Sequence, residues 1–478
     1  MFSNRQTLSA CTSILVGKKA TADGSTMIGR NEDCRSAWPK HMTVHPHQEG
    51  IENNHYSSPD KDNDFEIDLP STSFKYTATP EWTDEFGTFE EDGINEFNVA
   101  MSATESAYAN RRVLGYDPLL KSGIAEEAMI NVVLPFIKSA REGVERLGQI
   151  VSEHGAAEAN GVLFSDENEV WYFEIGSGHY WVAQQIPADS YAVVANQLAI
   201  QEVDFSDHEN FITAPGIRDF VREHHLNPAK TGFNFRNIFG THSLSDEIYN
   251  TPRVWDGQRL LNPEIQQEPM DENLPFIRKA NRLLHRDDVE AVLASHFKGT
   301  EYDPIGNGPE ESKKKFRPIS LAKTQESHIL QIRSNVPETL KGIHWLALGV
   351  TAQSSFVPFY ASATDVHPAY KVGTKDYSPD SAYWIYKLVS VLVDPHYLEF
   401  GKMLADTQDD LYAQFTHLIE ETDHHATELS GDAQIDYLTK QSIHFQQVGI
   451  DRMQALTSKL ITAATDMSPL NFKTDMNL

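Results

Sequence analysis

Two stretches near the N-terminus decide the fold: Cys11-Thr-Ser-Ile-Leu-Val-Gly17 and Asp23-Gly-Ser-Thr-Met-Ile-Gly-Arg-Asn-Glu-Asp33. Each carries a short apolar run, and the seven-residue connection Lys18–Gly24 contains Asp23-Gly24, a turn signal. The pattern predicts a β-hairpin. With the turn centred near Thr21, the antiparallel partner of Cys11 falls at Arg30 or Asn31. Spacing alone therefore places a thiol beside a guanidinium, an amide and a carboxylate. A nearby cation favours the nucleophilic thiolate. Were residues 1–10 removed, Cys11 would also carry a free α-amine. Its unperturbed pKa of about 7.7–8.0 suits a general base near neutral pH.

Composition narrows the class. The 478 residues are 40% hydrophobic and 23% charged, enough for a real core, and the length predicts about two to four domains. A net charge of −29 argues against nucleic acid or an anionic membrane as partner, because phosphate binding needs clustered Lys and Arg. Only Cys11 and Cys34 are present, which excludes a disulfide framework and suits a reducing cytoplasm. No run of 18 apolar residues occurs. The first ten residues lack the apolar stretch of a signal peptide. They fit a propeptide, a disordered tail or a start-site artefact.

Along the chain, the polar stretch Gln48–Asp64 reads as a loop. Phe74–Thr77 is β-like, and residues 93–98 form a turn feeding a strand over Val99–Thr104. Ile137, Ala140, Val144, Leu147 and Val151 make one helical stripe, divided by Pro135 from a segment over Glu126–Leu134. Strands at Gly161–Ser165, Val170–Ile175, Tyr180–Gln185 and Tyr191–Asn196, separated by turn signals, predict a four-stranded antiparallel meander. Ser327–Ser334, Gly342–Gly349 and Phe356–Tyr360 are further strands. The C-terminal region is helical over Pro379–Val393, Leu404–Leu429 and Ile435–Ala464, with Gly431 as a stop. The order strands, helix, strands, helical tail predicts an α+β fold.

These segments carry a resemblance. Cys11–Asp33, Asn98-Val-Ala-Met-Ser-Ala-Thr-Glu-Ser106, Asp117-Pro-Leu through Leu147, Val170–Ile175, Ala195-Asn-Gln197 and Phe356–Tyr360 resemble the dipeptidase A family of cysteine peptidases, relatives of the secernins among the N-terminal-nucleophile hydrolases. The resemblance covers most of residues 11–370. It implies an αββα sandwich of two antiparallel sheets between helical layers. The implied division is a leader over 1–10, a hydrolase domain over 11–375 and a helical extension over 376–478 packed on it. The implied activity is hydrolysis of dipeptides of broad specificity, with no metal or cofactor, in a cytoplasmic homo-oligomer. Cys11 would be the nucleophile after cleavage of Ala10–Cys11, with Arg30 and Asp33 beside it and Asn196 at the oxyanion site. Arg253, in Thr251-Pro-Arg-Val-Trp255, would match a second site arginine. A dipeptidase must also recognise a free amine, for which Glu32 and Glu105 are candidates.

Blander readings stand beside these. A lone Cys is most often a small buried residue. Arg30 and Asp33 also fit a structural ion pair, and Asn196 a turn residue. Cys34 is an alternative thiol but lacks the α-amine. His41, His45 and His47, with His424-His425, do not have the spacing of a metal site. The stripes Leu411, Phe415, Leu418 and Met453, Leu456, Leu460, and the rings of Trp171 and Trp181, read as core. Three rival functions remain: an N-acyl amide hydrolase of the penicillin V acylase type, a non-catalytic secernin-like protein, and a metallopeptidase built on the histidines.

Overall fold

The computed structural model describes residues 11–470, without the side chains of Thr104 and Glu105. The expected leader, residues 1–10, lies outside the described residues. The predicted hairpin forms from Thr12–Val16 and Thr26–Asp33. Every residue of both strands is buried, because the hairpin occupies the middle of a seven-stranded sheet. The order there is Ile277–Lys279, Ser190–Val194, Thr12–Val16, Thr26–Asp33, Thr324–Ile332, Gly342–Leu348 and Val357–Tyr360. A second sheet of six strands runs Phe211–Thr213, Trp181–Gln185, Val170–Ile175, Asn160–Ser165, Ala100–Ser106 and Asp92–Ile94. All neighbouring pairs are antiparallel.

The period-2 alternation of the strands assigns their two faces. Leu15, Ile28 and Leu330 join a core shared with Met101, Val162 and Phe173 of the six-stranded sheet. Ile14, Val16, Met27 and Ile329 point the other way, into a core built with the C-terminal helices. The two sheets thus pack face to face with a helical layer on each outer side. Helices Glu126–Val133 and Ala140–His154 cover the six-stranded sheet. Arg286–Leu293, Ala382–Val393, Tyr397–Ala426 and Asp432–Thr465 cover the other. Gly143 and Gly148 permit the close approach of Ala140–His154. A Cβ on Gly148 would lie 2.2 Å from the Trp181 ring, and one on Gly143 would lie 2.6 Å from Phe164.

Three expectations need correction. The meander has three strands, not four: Ser190–Val194 crosses to the seven-stranded sheet and pairs with Thr12–Val16. It is apolar on both faces, Ala192 and Val194 toward one core and Tyr191 and Val193 toward the other, so an inner position satisfies it. Residues Asp92–Ile94 are a strand paired with Ala100–Ser102, so the turn is confined to the residues that follow. The loop over Gln48–Asp64 contains a short strand, His55–Ser57, paired with Glu66–Asp68. Of the C-terminal stripes, Leu411, Phe415, Met453, Leu456 and Leu460 are buried in the core over the seven-stranded sheet, and Leu418 packs against it half-buried. In the earlier stripe Ile137 is extended and lies outside helix Ala140–His154.

Candidate active site

Cys11 is fully buried at the start of the first strand. The hairpin register pairs Thr12 with Asn31 and Ser13 with Arg30. Continued by one step, it sets Cys11 across from Glu32, one residue beyond Asn31 and two beyond Arg30, the expected partners. The thiol donates to Glu32 Oε2 at 3.0 Å. Arg30 Nη1 donates to Sγ at 3.1 Å and to the same Glu32 oxygen at 2.7 Å. Arg30 and Glu32 are two apart on one strand, so both side chains face the second sheet. Asn31 and Asp33 face away.

Arg30 is held from the opposite sheet. Its Nε donates to Ser102 Oγ at 3.1 Å and its Nη2 to Glu91 Oε2 at 2.5 Å. Glu91 is in turn bonded by Lys40 Nζ at 2.5 Å. Burial works against the Arg30 charge, but Cys11, Glu91, Glu32 and Glu126 outweigh it and hold the guanidinium ionised. Behind Ser102 lies a second buried group. His328 pairs with Arg30 in register, its Nε2 is 2.8 Å from Ser102 Oγ, and its Nδ1 is 2.9 Å from Asp92 Oδ2. Burial lowers its basicity, yet Asp92 and Glu326 win and raise its pKa to about 9.

The other side of the first strand is gripped by two arginines. Arg253 is fully buried and follows a π-helical turn, Asp246–Asn250, at the start of helix Thr251–Leu261. Such turns recur at functional sites. Its guanidinium donates to the Cys11 carbonyl, to Thr12 Oγ1 at 2.8 Å, and to Asn196 Oδ1 and Asn250 Oδ1 at 2.7 Å each. Asn196 Nδ2 donates to the Ser106 carbonyl at 2.9 Å. An amide has a second N–H, so one donor is left to serve elsewhere. Asp33 is bonded by Arg317 and, at 2.5 Å, by Thr324. Burial pushes its carboxyl up while Arg317 pulls it down. Arg317 also reaches Thr12 Oγ1 at 3.4 Å.

The fold therefore brings Cys11, Arg30 and Glu32 into direct contact, and Arg253 and Asn196 into a second cluster on the Cys11 main chain. Asp33 joins that side through Arg317 and Thr12. Glu105 lies in strand Ala100–Ser106 opposite Gly161, and its side chain is outside the described residues. Glu91, Ser102, Asn250, Arg317 and His328 belong to the site and are missed by sequence reasoning. Glu91 hides in the acidic run Glu90-Glu91-Asp92, and Arg317 follows Lys313-Lys-Lys, which reads as a solvated surface.

A cavity of about 320 Å³ opens beside Glu32. Trp38, Phe86, Phe89, Leu114 and Leu119 supply apolar wall, and Glu126, Glu127 and Glu158 supply carboxyls. Cys34 also lines it, with burial pushing its pKa up to about 12. Two buried donor sets have metal-ligating types within reach of one another: Glu32, Glu91, Glu126 and Asp92, Glu326, His328. Arg30 and Lys40 provide the cations for the first, and His328 for the second. His45 and His47 bond two different carboxylates, Glu90 and Glu96, each at 2.6 Å. No helix among the described residues is long and apolar enough to cross a membrane.

The chain is similar to known proteins along nearly its whole length. Over 480 residues, 99% of this chain and 100% of the relative, it is 49% identical to a protein named probable dipeptidase from Latilactobacillus sakei. Over 472 residues, 97% of each, it is 39% identical to probable dipeptidase B of Lactococcus lactis subsp. lactis. Over 428 residues, 88% of this chain and 90% of the relative, it is 40% identical to dipeptidase A of Lactobacillus helveticus. Residues 10–410 match peptidase family C69, and the chain belongs to that family.

Proposed function

We propose that the protein is a cysteine dipeptidase of the N-terminal-nucleophile type, with Cys11 as nucleophile once residues 1–10 are removed. The observation that carries this reading is the double grip on Cys11. Its sulfur is 3.1 Å from the Arg30 guanidinium, and its carbonyl is bonded by Arg253, which also holds Asn196. The face-to-face sheets between helices and the dipeptidase names of the relatives support it.

In the proposed reaction the freed α-amine takes the thiol proton, directly or through one water, and Arg30 stabilises the thiolate. The sulfur attacks the dipeptide carbonyl, and a tetrahedral intermediate collapses to a thioester as the leaving amine takes the proton. Water, deprotonated by the same amine, then hydrolyses the thioester. The second Nδ2 hydrogen of Asn196, with backbone N–H groups, meets the developing oxyanion. Losing one such donor costs about 2.7–4 kcal/mol. Asp33, with Arg317, orients the α-ammonium.

Intact-mass measurement of the purified chain, paired with a dipeptide assay, tests the reading. The expected result is loss of residues 1–10 and hydrolysis that disappears in Cys11→Ala, which keeps them. A homogeneous full-length chain that hydrolyses dipeptides would exclude the free-amine mechanism. Faster turnover of N-acyl amides than of dipeptides would favour an acylase instead.

A further inference from the structure

We propose that Glu126 is the binding group for the free α-ammonium of the substrate, so that the site attacks the carbonyl of an unblocked N-terminal residue with an apolar side chain. This deepens the dipeptidase reading and rests on it.

Glu126 opens helix Glu126–Val133, preceded by Ala125, which offers no side-chain cap. Its side chain is 9% exposed and lines the cavity. Oε1 is buried and has no hydrogen-bond partner among the described residues. Arg30 Nη1, at 4.0 Å, is too far to donate to it. A buried carboxyl oxygen without a hydrogen bond is costly, and a site that leaves one facing a cavity is shaped for a donor that arrives from outside.

Distance places that donor. Arg30 Nη1 lies 3.1 Å from Cys11 Sγ and 4.0 Å from Glu126 Oε1, so sulfur and carboxyl oxygen are within about 7 Å of each other. An α-nitrogen lies about 2.5 Å from its own carbonyl carbon, given standard bond lengths. A near-attack contact adds about 3–3.5 Å on the sulfur side. A charge-assisted N–H···O bond adds about 2.8 Å on the other. These reaches span the gap when the ammonium and the scissile carbonyl belong to the same residue. They do not suit a substrate whose free amine is a residue further away.

Charge and shape agree. Burial, then Glu32, Glu91 and Glu158, push the Glu126 carboxyl well above the usual range, and Arg30, 4.0 Å from Oε1, offsets them only in part. An entering ammonium supplies a cationic donor at hydrogen-bond distance and releases the carboxyl proton. Leu114, Leu119, Phe86 and Phe89 line the same space and suit an aliphatic or aromatic side chain. An N-acylated residue would bring a neutral amide to the carboxyl and lose the ion pair.

The test uses the full chain with its N-terminus verified by mass. Leu-Leu is compared with its desamino analogue, 4-methylpentanoyl-leucine. Wild type is expected to prefer Leu-Leu by about 10- to 100-fold in kcat/KM, the range for a hydrogen bond to a charged group. Glu126→Gln should lose that preference, mostly through KM. Titration of wild type with leucine in buffers of different ionisation enthalpy should show proton release, absent in Glu126→Gln. A Glu126→Gln enzyme that still prefers Leu-Leu by the wild-type factor would overturn the assignment and leave the dipeptidase reading standing. A wild type that hydrolyses neither compound would overturn both. The proton-release measurement needs no turnover and therefore remains decisive for a variant of low activity.

Discussion

Arg253 and Asn196, 57 residues apart, share a hydrogen bond of 2.7 Å that ties the start of a helix to the exit of an inner strand. Because the same guanidinium bonds the Cys11 carbonyl, the amide and the Cys11 main chain are positioned by one group. Asn196→Ala and Arg253→Met should each lower kcat by about 10²–10³, the scale of one lost oxyanion donor. The double variant should lose much less than the product of the two, since each removes the same arrangement. Steady-state kinetics with a dipeptide, alongside thermal melts to follow folding, checks this. Multiplicative losses would show that the two act independently.

The two thiols should behave differently. Cys34 is pushed up to about 12 by burial, with Glu32 adding to the effect, so it stays protonated at neutral pH. Iodoacetamide at pH 7–8 should modify Cys11 first and abolish activity in step with that modification. Peptide mass mapping locates the adduct, and Cys34→Ser should be inactivated as fast as wild type.

The buried His328 gives stability a defined pH dependence. Its pKa rises from the ordinary 6.5 to about 9 through Asp92 and Glu326, against burial. The stabilisation is fully present below about 6.5 and disappears as pH climbs through about 9. At roughly 1.4 kcal/mol per pKa unit it amounts to about 3 kcal/mol. Melting wild type and His328→Gln from pH 6 to 10 should show wild type ahead at the acidic end and the gap closing at the alkaline end. A constant gap would indicate that the histidine contributes by packing alone.

Glu126 has the opposite sign. A carboxyl held protonated in the fold but free to ionise when unfolded weakens the native state at every pH above its unfolded value, near 4.5. Glu126→Gln should therefore raise the melting temperature, more at pH 8 than at pH 5, while impairing binding. Such opposition between stability and activity is expected at functional sites. A variant that melts lower at pH 8 would mean that the carboxylate is already compensated.

Much of this site was legible in the residues. The hairpin put Arg30 next to Cys11 because a tight antiparallel pair leaves few registers. The error of one residue matters, since it exchanges Asn31 for Glu32 as the side chain that meets the sulfur. The resemblance carried Asn196 and Arg253, which no local pattern would join. What stayed hidden was tertiary. Nothing in Glu90-Glu91-Asp92 distinguishes a solvated run from Glu91 wedged between Arg30 and Lys40. Nothing in Val193 or Val194 shows that their strand leaves the meander for the other sheet. Both depend on contacts between segments far apart in sequence, and an amphipathic or apolar pattern does not name its partner.

That crossing strand has a consequence for the order of assembly. The Cys11–Arg30 contact spans 19 residues and can exist as soon as the hairpin forms. The grip of Arg253 comes from 241 residues beyond Thr12, and that of Arg317 from 305 beyond. On a growing chain the main chain of Cys11 and its amide neighbour thus wait for Arg253, about halfway along the sequence, and the second grip waits for Arg317, about two thirds of the way. Closing loops of that length is slow compared with forming a hairpin. The full set of contacts around Cys11 is therefore a late property of the nascent protein, and half-made chains carry the sulfur without them.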